Sequence, residues 1–84
     1  MERLVEITGE NDGLVDRLRG PLFQALEERH SYYRIEVDSV ARVGGVVVSI
    51  TGVRGHIPLF FGADELDPGY VSRVVKDAVA RFGV

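Results

Sequence analysis

Two histidines, thirteen carboxylates and nine arginines carry the polar chemistry open to this 84-residue chain. Its lack of cysteine removes thiol nucleophiles, thiolate metal ligands and disulfides together. His56 is the residue to weigh first, because an imidazole ordinarily titrates near neutral pH and suits general-base work. It lies near Arg54, opposite Thr51 in the hairpin described below, but no nucleophile at fixed spacing and no third group to orient it accompany it in the pattern. A surface histidine at the end of a hairpin is the simpler reading; Asp38 or Glu36 within hydrogen-bond distance of it, inside a pocket, would favour an enzyme. His30, after the first helical region, suits the negative end of that helix.

Asp64, Glu65 and Asp67 form the densest acidic group, and hard cations favour several carboxylate oxygens. Their spacing does not match the twelve-residue calcium loop, and Asp67 is better explained as a helix cap, so neither a metal nor any other cofactor is expected. Gly44, Gly45, Gly52 and Gly55 stand between strands, which is the grammar of hairpins and not of a phosphate loop opening a helix. Arg34, Arg42 and Arg54, with Tyr32 or Tyr33, are the set that nucleic acid would use. The formal net charge of -3 and the absence of a run of basic residues make that partner unlikely.

The elements that position these residues can be read from periodicity. Residues 3 to 8 alternate, with Val5 and Ile7 on one side and Leu4, Glu6 and Thr8 on the other, as in a short strand. Gly9 to Gly13 make a turn in which Asn11 or Asp12 can cap a helix carrying Leu14, Val15, Leu18, Leu22, Ala25 and Leu26 inward. Gln24, Glu27, Glu28 and Arg29 face water. Gly20-Pro21 interrupts the pattern, and a break there, with Pro21 starting a second helix, is favoured over a kink.

Tyr33, Ile35, Val37, Ser39, Ala41 and Val43 then alternate with Arg34, Glu36, Asp38, Val40 and Arg42. A two-residue Gly44-Gly45 loop would set Val43 opposite Val46, Ala41 opposite Val48 and Ser39 opposite Ile50. A second turn at Gly52 to Gly55 sets Ile50 opposite Ile57, Val48 opposite Leu59 and Val46 opposite Phe61. Pro58, opposite Ser49, marks an edge strand, since it offers no outward donor. Asp67 caps the last helix, Pro68 starts it and Gly83 ends it, with Val71, Val74, Val75, Ala78, Val79 and Phe82 buried. Arg73, Lys76, Asp77 and Arg81 point outward.

Residues 1–84 therefore form a single α+β domain of order β-α-β-β-β-α: a mainly antiparallel four-stranded sheet with two helices packed on one face. A right-handed crossover lets the first strand lie parallel to the second, beside it or beyond the meander's far edge, and the proline edge favours the first placement. From residue 13 onward, the order helix, three-stranded meander, helix resembles that of double-stranded-RNA-binding domains. In those domains the last helix starts with basic residues that read phosphates, whereas Asp64-Glu65-Leu66-Asp67-Pro68-Gly69-Tyr70 would repel RNA.

The face away from the helices is not uniformly polar. Val40, Val47, Pro58 and Phe60 make an apolar patch flanked by Arg34 and Arg42, and such patches mark association surfaces. The expected function is thus a non-catalytic protein-protein interaction module, a small adaptor, regulatory or inhibitory protein using this face or a sheet edge and capable of forming a homodimer. A nucleic-acid-binding domain is the first alternative and a small enzyme using His56 the second. The charged, alternating start is not a signal peptide, and no apolar run is long enough for a membrane span, so a cytoplasmic protein is expected.

Overall fold

The computed structural model describes residues 5–29 and 31–84. Strand β1 (Val5–Gly9) leads to helix α1 (Asp12–Leu26), strands β2 (Tyr33–Val40), β3 (Gly45–Gly52) and β4 (His56–Phe61), a single 3-10 turn (Ala63–Glu65), and helix α2 (Pro68–Phe82). The sheet order is β1-β2-β3-β4, with β1 parallel to β2 and the other pairs antiparallel. This is the expected α+β order, with the first strand beside the second and β4 at an edge. Leu4 and His30, which the sequence assigned to the first strand and to a helix terminus, lie outside the described residues.

One face of the sheet is sealed. Ile35, Val37, Val46, Val48, Ile50 and Phe61 join Leu18, Leu22 and Leu26 of α1 and Val71, Val75 and Val79 of α2 in a continuous core. Burying a side chain of this size contributes about 1.5–3 kcal/mol, so twelve such residues supply the main force holding helices to sheet. Both helices begin as expected. Asn11 caps α1 by accepting from the Leu14 amide at 3.1 Å, and Asp67 caps α2 by accepting from Tyr70 at 3.1 Å. Gly83 closes α2 in the left-handed region at φ 66°.

Four expectations are corrected. Helix α1 runs unbroken through Gly20-Pro21. Pro21 belongs to the buried stripe itself, three residues after Leu18 and four before Ala25, and its burial offsets the lost donor. Arg17, whose carbonyl forfeits that donor, is on the exposed side, where water can serve it. Arg29 is half-buried and donates from Nε to the Tyr33 hydroxyl at 2.9 Å, so it does not simply face water.

The β2–β3 hairpin has a four-residue loop, Ala41 to Gly44, in place of Gly44-Gly45. Val40 pairs with Gly45, Ser39 with Val46, Val37 with Val48 and Ile35 with Ile50. A two-residue loop of the expected kind needs positive φ at both central residues, and only Gly44 has it, at 65°. Ala41, Arg42 and Val43 consequently leave the sheet; Val43 is 62% exposed, and Ser39 is exposed at the strand end. The β3–β4 hairpin has the expected register throughout.

Phe82 is 65% exposed and not buried. Val84 folds back instead, its amide donating to the Val79 carbonyl at 3.2 Å, and its carbonyl accepts from the Tyr33 hydroxyl at 3.0 Å. Val84, and not Phe82, thus joins the core after the end of α2.

Candidate functional site

The register arranges the open face of the sheet in rows. Glu6, Arg34, Thr51 and His56 form the first, Thr8, Glu36, Ser49 and Pro58 the second, and Asp38, Val47 and Phe60 the third. Val40 and Gly45 end the face. Side chains alternate along a strand, so these residues face outward while Ile35, Val37, Val46, Val48, Ile50 and Phe61 between and beside them are in the core.

Val40, Val47, Pro58 and Phe60 do come together. Phe60 is directly opposite Val47, one row from Pro58, and 56% exposed. A Cβ built on Gly45 would stand 2.5 Å from Cζ of Phe60 and 2.8 Å from the Phe61 carbonyl oxygen. The Phe60 ring therefore rests on bare backbone at Gly45, and Val40 borders that glycine across the strand pair. Gly45 is the floor of the patch, which sequence reasoning missed by assigning it to the turn. Its signal was present in Phe60, an aromatic two residues from register with a glycine on the same face.

Arg34 and Arg42 separate. Arg34 shares the first row with Thr51, while Arg42 is in the β2–β3 loop at the opposite end of β2 and is not on the open face. Six residue steps of extended strand, about 20 Å, separate Arg34 from the end of β2 at Val40, and Arg42 lies beyond that end. Longer pairing through residue 43 would have kept Arg42 in the sheet; the four-residue loop removes it.

Charge on this face is divided by strand. Glu6, Arg34, Glu36 and Asp38 are all on β1 and β2, whereas the outward residues of β3 and β4 are Gly45, Val47, Ser49, Thr51, His56, Pro58 and Phe60. The second half carries no carboxylate, lysine or arginine. His56 Nδ1 shares a 2.9 Å hydrogen bond with Thr51 Oγ1, and both residues are exposed. Glu36 and Asp38 are on β2, two strands away and thus about 10 Å across the sheet, in other rows. Among the described residues, His56 has a hydroxyl for a partner and no carboxylate.

The aromatic residues considered for base stacking are already engaged. Tyr33 is buried, its hydroxyl donating to Val84 and accepting from Arg29. Tyr32 donates to Glu6 Oε2 at 2.8 Å and borders a shallow cleft of about 210 Å³ with Arg34, Thr51, Gly52 and Val53. Arg54 is in the neighbouring β3–β4 turn.

The acidic group before α2 serves backbone and tyrosine. Glu65 Oε1 accepts from the Gly62 amide at 2.8 Å, its Oε2 accepts from the Tyr70 hydroxyl at 3.3 Å, and Asp67 caps the helix. Among the described residues, no three histidine or carboxylate side chains converge as a metal set. A cleft of about 470 Å³ at the start of α1, lined by Glu10, Asn11, Asp12, Val37, Asp38 and Ser39, is acidic and next to the helix cap.

The sheet edges differ too. The Gly52 amide donates to the Gly55 carbonyl at 2.8 Å, so in the alternating ladder His56, Pro58 and Phe60 turn their backbone groups outward. Pro58 offers no donor in the middle of that row, which blunts the β4 edge against an added strand.

No protein-family model matches this chain, and comparison with curated proteins and with solved structures finds no significant relative. Among the described residues, no helix is long and apolar enough to cross a membrane.

Proposed function

We propose that this protein is a non-catalytic interaction module, a small cytoplasmic adaptor, regulatory or inhibitory protein that docks through the β3–β4 half of its open sheet face. The carrying observation is Phe60, more than half exposed and continuous with Val47 and Pro58 on a β3–β4 surface free of formal charge, with Val40 bordering it across Gly45. Desolvating such a surface is favourable, whereas a partner on the β1–β2 half would have to desolvate Glu6, Arg34, Glu36 and Asp38. The blunted β4 edge favours the face over that edge.

A photo-crosslinking residue at Ser49, compared with one at Arg17 on the exposed side of α1, tests the reading in the cells that make the protein. Protein adducts are expected at Ser49 and should disappear in Phe60→Asp. Equal yields at the two positions, or adducts indifferent to Phe60, would overturn it.

Nucleic-acid binding is the second reading, supported by Arg34, Arg54 and Tyr32 at one end of the sheet. RNA retention on the protein that falls steeply with salt would favour it.

A further inference from the structure

We infer that the outer edge of β1 docks an extended, basic segment of a partner protein, which joins the sheet as an added strand. This site is separate from the β3–β4 face, and neither needs the other. β1 ends the sheet order, with β2 on one side and, among the described residues, no strand on the other. The ladder decides which of its backbone groups are free. The bond between Gly52 and Gly55 fixes the alternation in β3 and hence in β2, whose Tyr33, Ile35 and Val37 turn their N–H and C=O groups toward β1. Within the parallel pair those groups meet Glu6 and Thr8, and the Thr8 hydroxyl also donates to the Ile35 carbonyl at 3.5 Å. Val5, Ile7 and Gly9 are left with theirs directed outward. No proline or lysine interrupts this row, whereas Pro58 interrupts the matching row on β4.

Charge states what an added strand must carry. Beside this edge the open face presents Glu6, Glu36 and Asp38 against Arg34 alone, and the cleft of about 470 Å³ past the end of β1 adds Glu10 and Asp12. None of these carboxylates is in an ion pair among the described residues, whereas Asp16, Glu28 and Asp77 elsewhere are. A strand laid on β1 alternates its side chains between this acidic face and the helix side, where Val5 and Ile7 are half-buried. Lysine or arginine at every second position, with apolar residues between, matches both sides. A second copy of β1 does not match, because antiparallel pairing about a two-fold axis would put both Glu6 carboxylates on one face of adjoining strands.

Amide NMR on the full chain, titrated at low salt with an end-capped peptide of about eight alternating lysines and valines, reads the docking directly. Saturable shifts are expected on β1 with a Kd of about 0.1 mM. Hydrogen exchange at the Val5, Ile7 and Gly9 amides should slow, because those donors gain acceptors. The same peptide N-methylated on the bonds that face β1 keeps its charge and should bind at least about tenfold more weakly. Glu6→Lys should weaken binding by a similar factor. So should Val5→Pro, which gives this edge the device that Pro58 gives the other. Glu27→Lys, the same charge change at the exposed end of α1, and Phe60→Asp should leave binding unchanged.

Equal affinity of the N-methylated peptide, or shifts on β1 without slowed exchange, would overturn strand addition on the unaltered chain, whether or not Val5→Pro folds. Equal binding of a peptide of alternating glutamates and valines would sink the basic partner. Concentration-dependent shifts on β1 without peptide would make a second copy the occupant instead. Crosslinking at Ser49 is indifferent to all of these outcomes, so failure at β1 leaves the face reading to its own test.

Discussion

Phe60 and Phe61 are adjacent in the chain and opposite in environment. Phe61 is buried at 1% exposure and meets the Tyr70 ring edge to face at 6.2 Å, whereas Phe60 is 56% exposed on the open sheet. The same contrast runs through β3, where Val46, Val48 and Ile50 are in the core and Val47 and Ser49 are half-buried on the other side. Both faces are built by the same strands, so local propensity cannot separate their roles. The difference is coverage: the buried positions of α1 and α2 serve one face, and the other keeps an apolar cluster with no described element above it.

The largest effect should come from the sealed face. Phe61→Ala should lower the unfolding free energy by about 3–5 kcal/mol, since it removes a large buried ring and leaves a cavity. Phe60→Ala should change it by only about 0.5 kcal/mol or less, as exposed positions usually do. Urea denaturation of the two variants side by side would break the comparison if their midpoints moved equally.

Gly45 links the two faces, and Gly45→Ala should cost about 1–3 kcal/mol by overpacking. Part of the clash is with the Phe60 ring, which can swing away, and part with the Phe61 carbonyl, which cannot. Combining Gly45→Ala with Phe60→Ala should recover only the first part. Full additivity in that double-mutant cycle would show that the ring does not rest on Gly45.

Tyr33→Phe should cost about 1–2 kcal/mol, because it deprives the buried Val84 carbonyl of its donor and Arg29 of its acceptor. Thermal melts of this variant and of Arg29→Ala would apportion the two bonds. The helix cap is worth less than these buried contacts: Asp67→Ala should lose about 1 kcal/mol and Asp67→Asn only a fraction of that. Hydrogen exchange at the first turn of α2 reports it, and equal protection in both variants would remove Asp67 as the cap.

The two hairpins show what could be read in advance. Gly52 and Gly55 bracket a turn whose register follows from matching apolar residues on both sides, and β3–β4 forms as expected. Gly44 and Gly45 offered the same kind of signal for β2–β3 and misled, because the two glycines serve different purposes. Gly44 supplies the positive φ of a four-residue loop; Gly45 is extended and makes room for Phe60. The partner of each β2 residue moved by four positions, an even number, so residues from Tyr33 to Val37 kept their faces. Val40, Val47, Pro58 and Phe60 therefore remained one patch, while Arg42 was lost from it. Pro21 misled for a similar reason: propensity weighs a missing donor, but not the burial that the ring gains.

Alternation, helical spacing and cap residues by themselves determined the element order, the helix starts at Asn11 or Asp12 and at Asp67, and the inner or outer side of nearly every strand residue, because these depend on neighbours within a few positions. Only the tertiary structure decided the length of the first hairpin loop, the continuity of α1 through Pro21, the exposure of Phe82 and the burial of Val84. It also decided that the charges of the open face gather on β1 and β2 and leave β3 and β4 neutral. Those outcomes rest on contacts such as Gly45 with Phe60 and Tyr33 with Val84, between residues that spacing along the chain does not bring together.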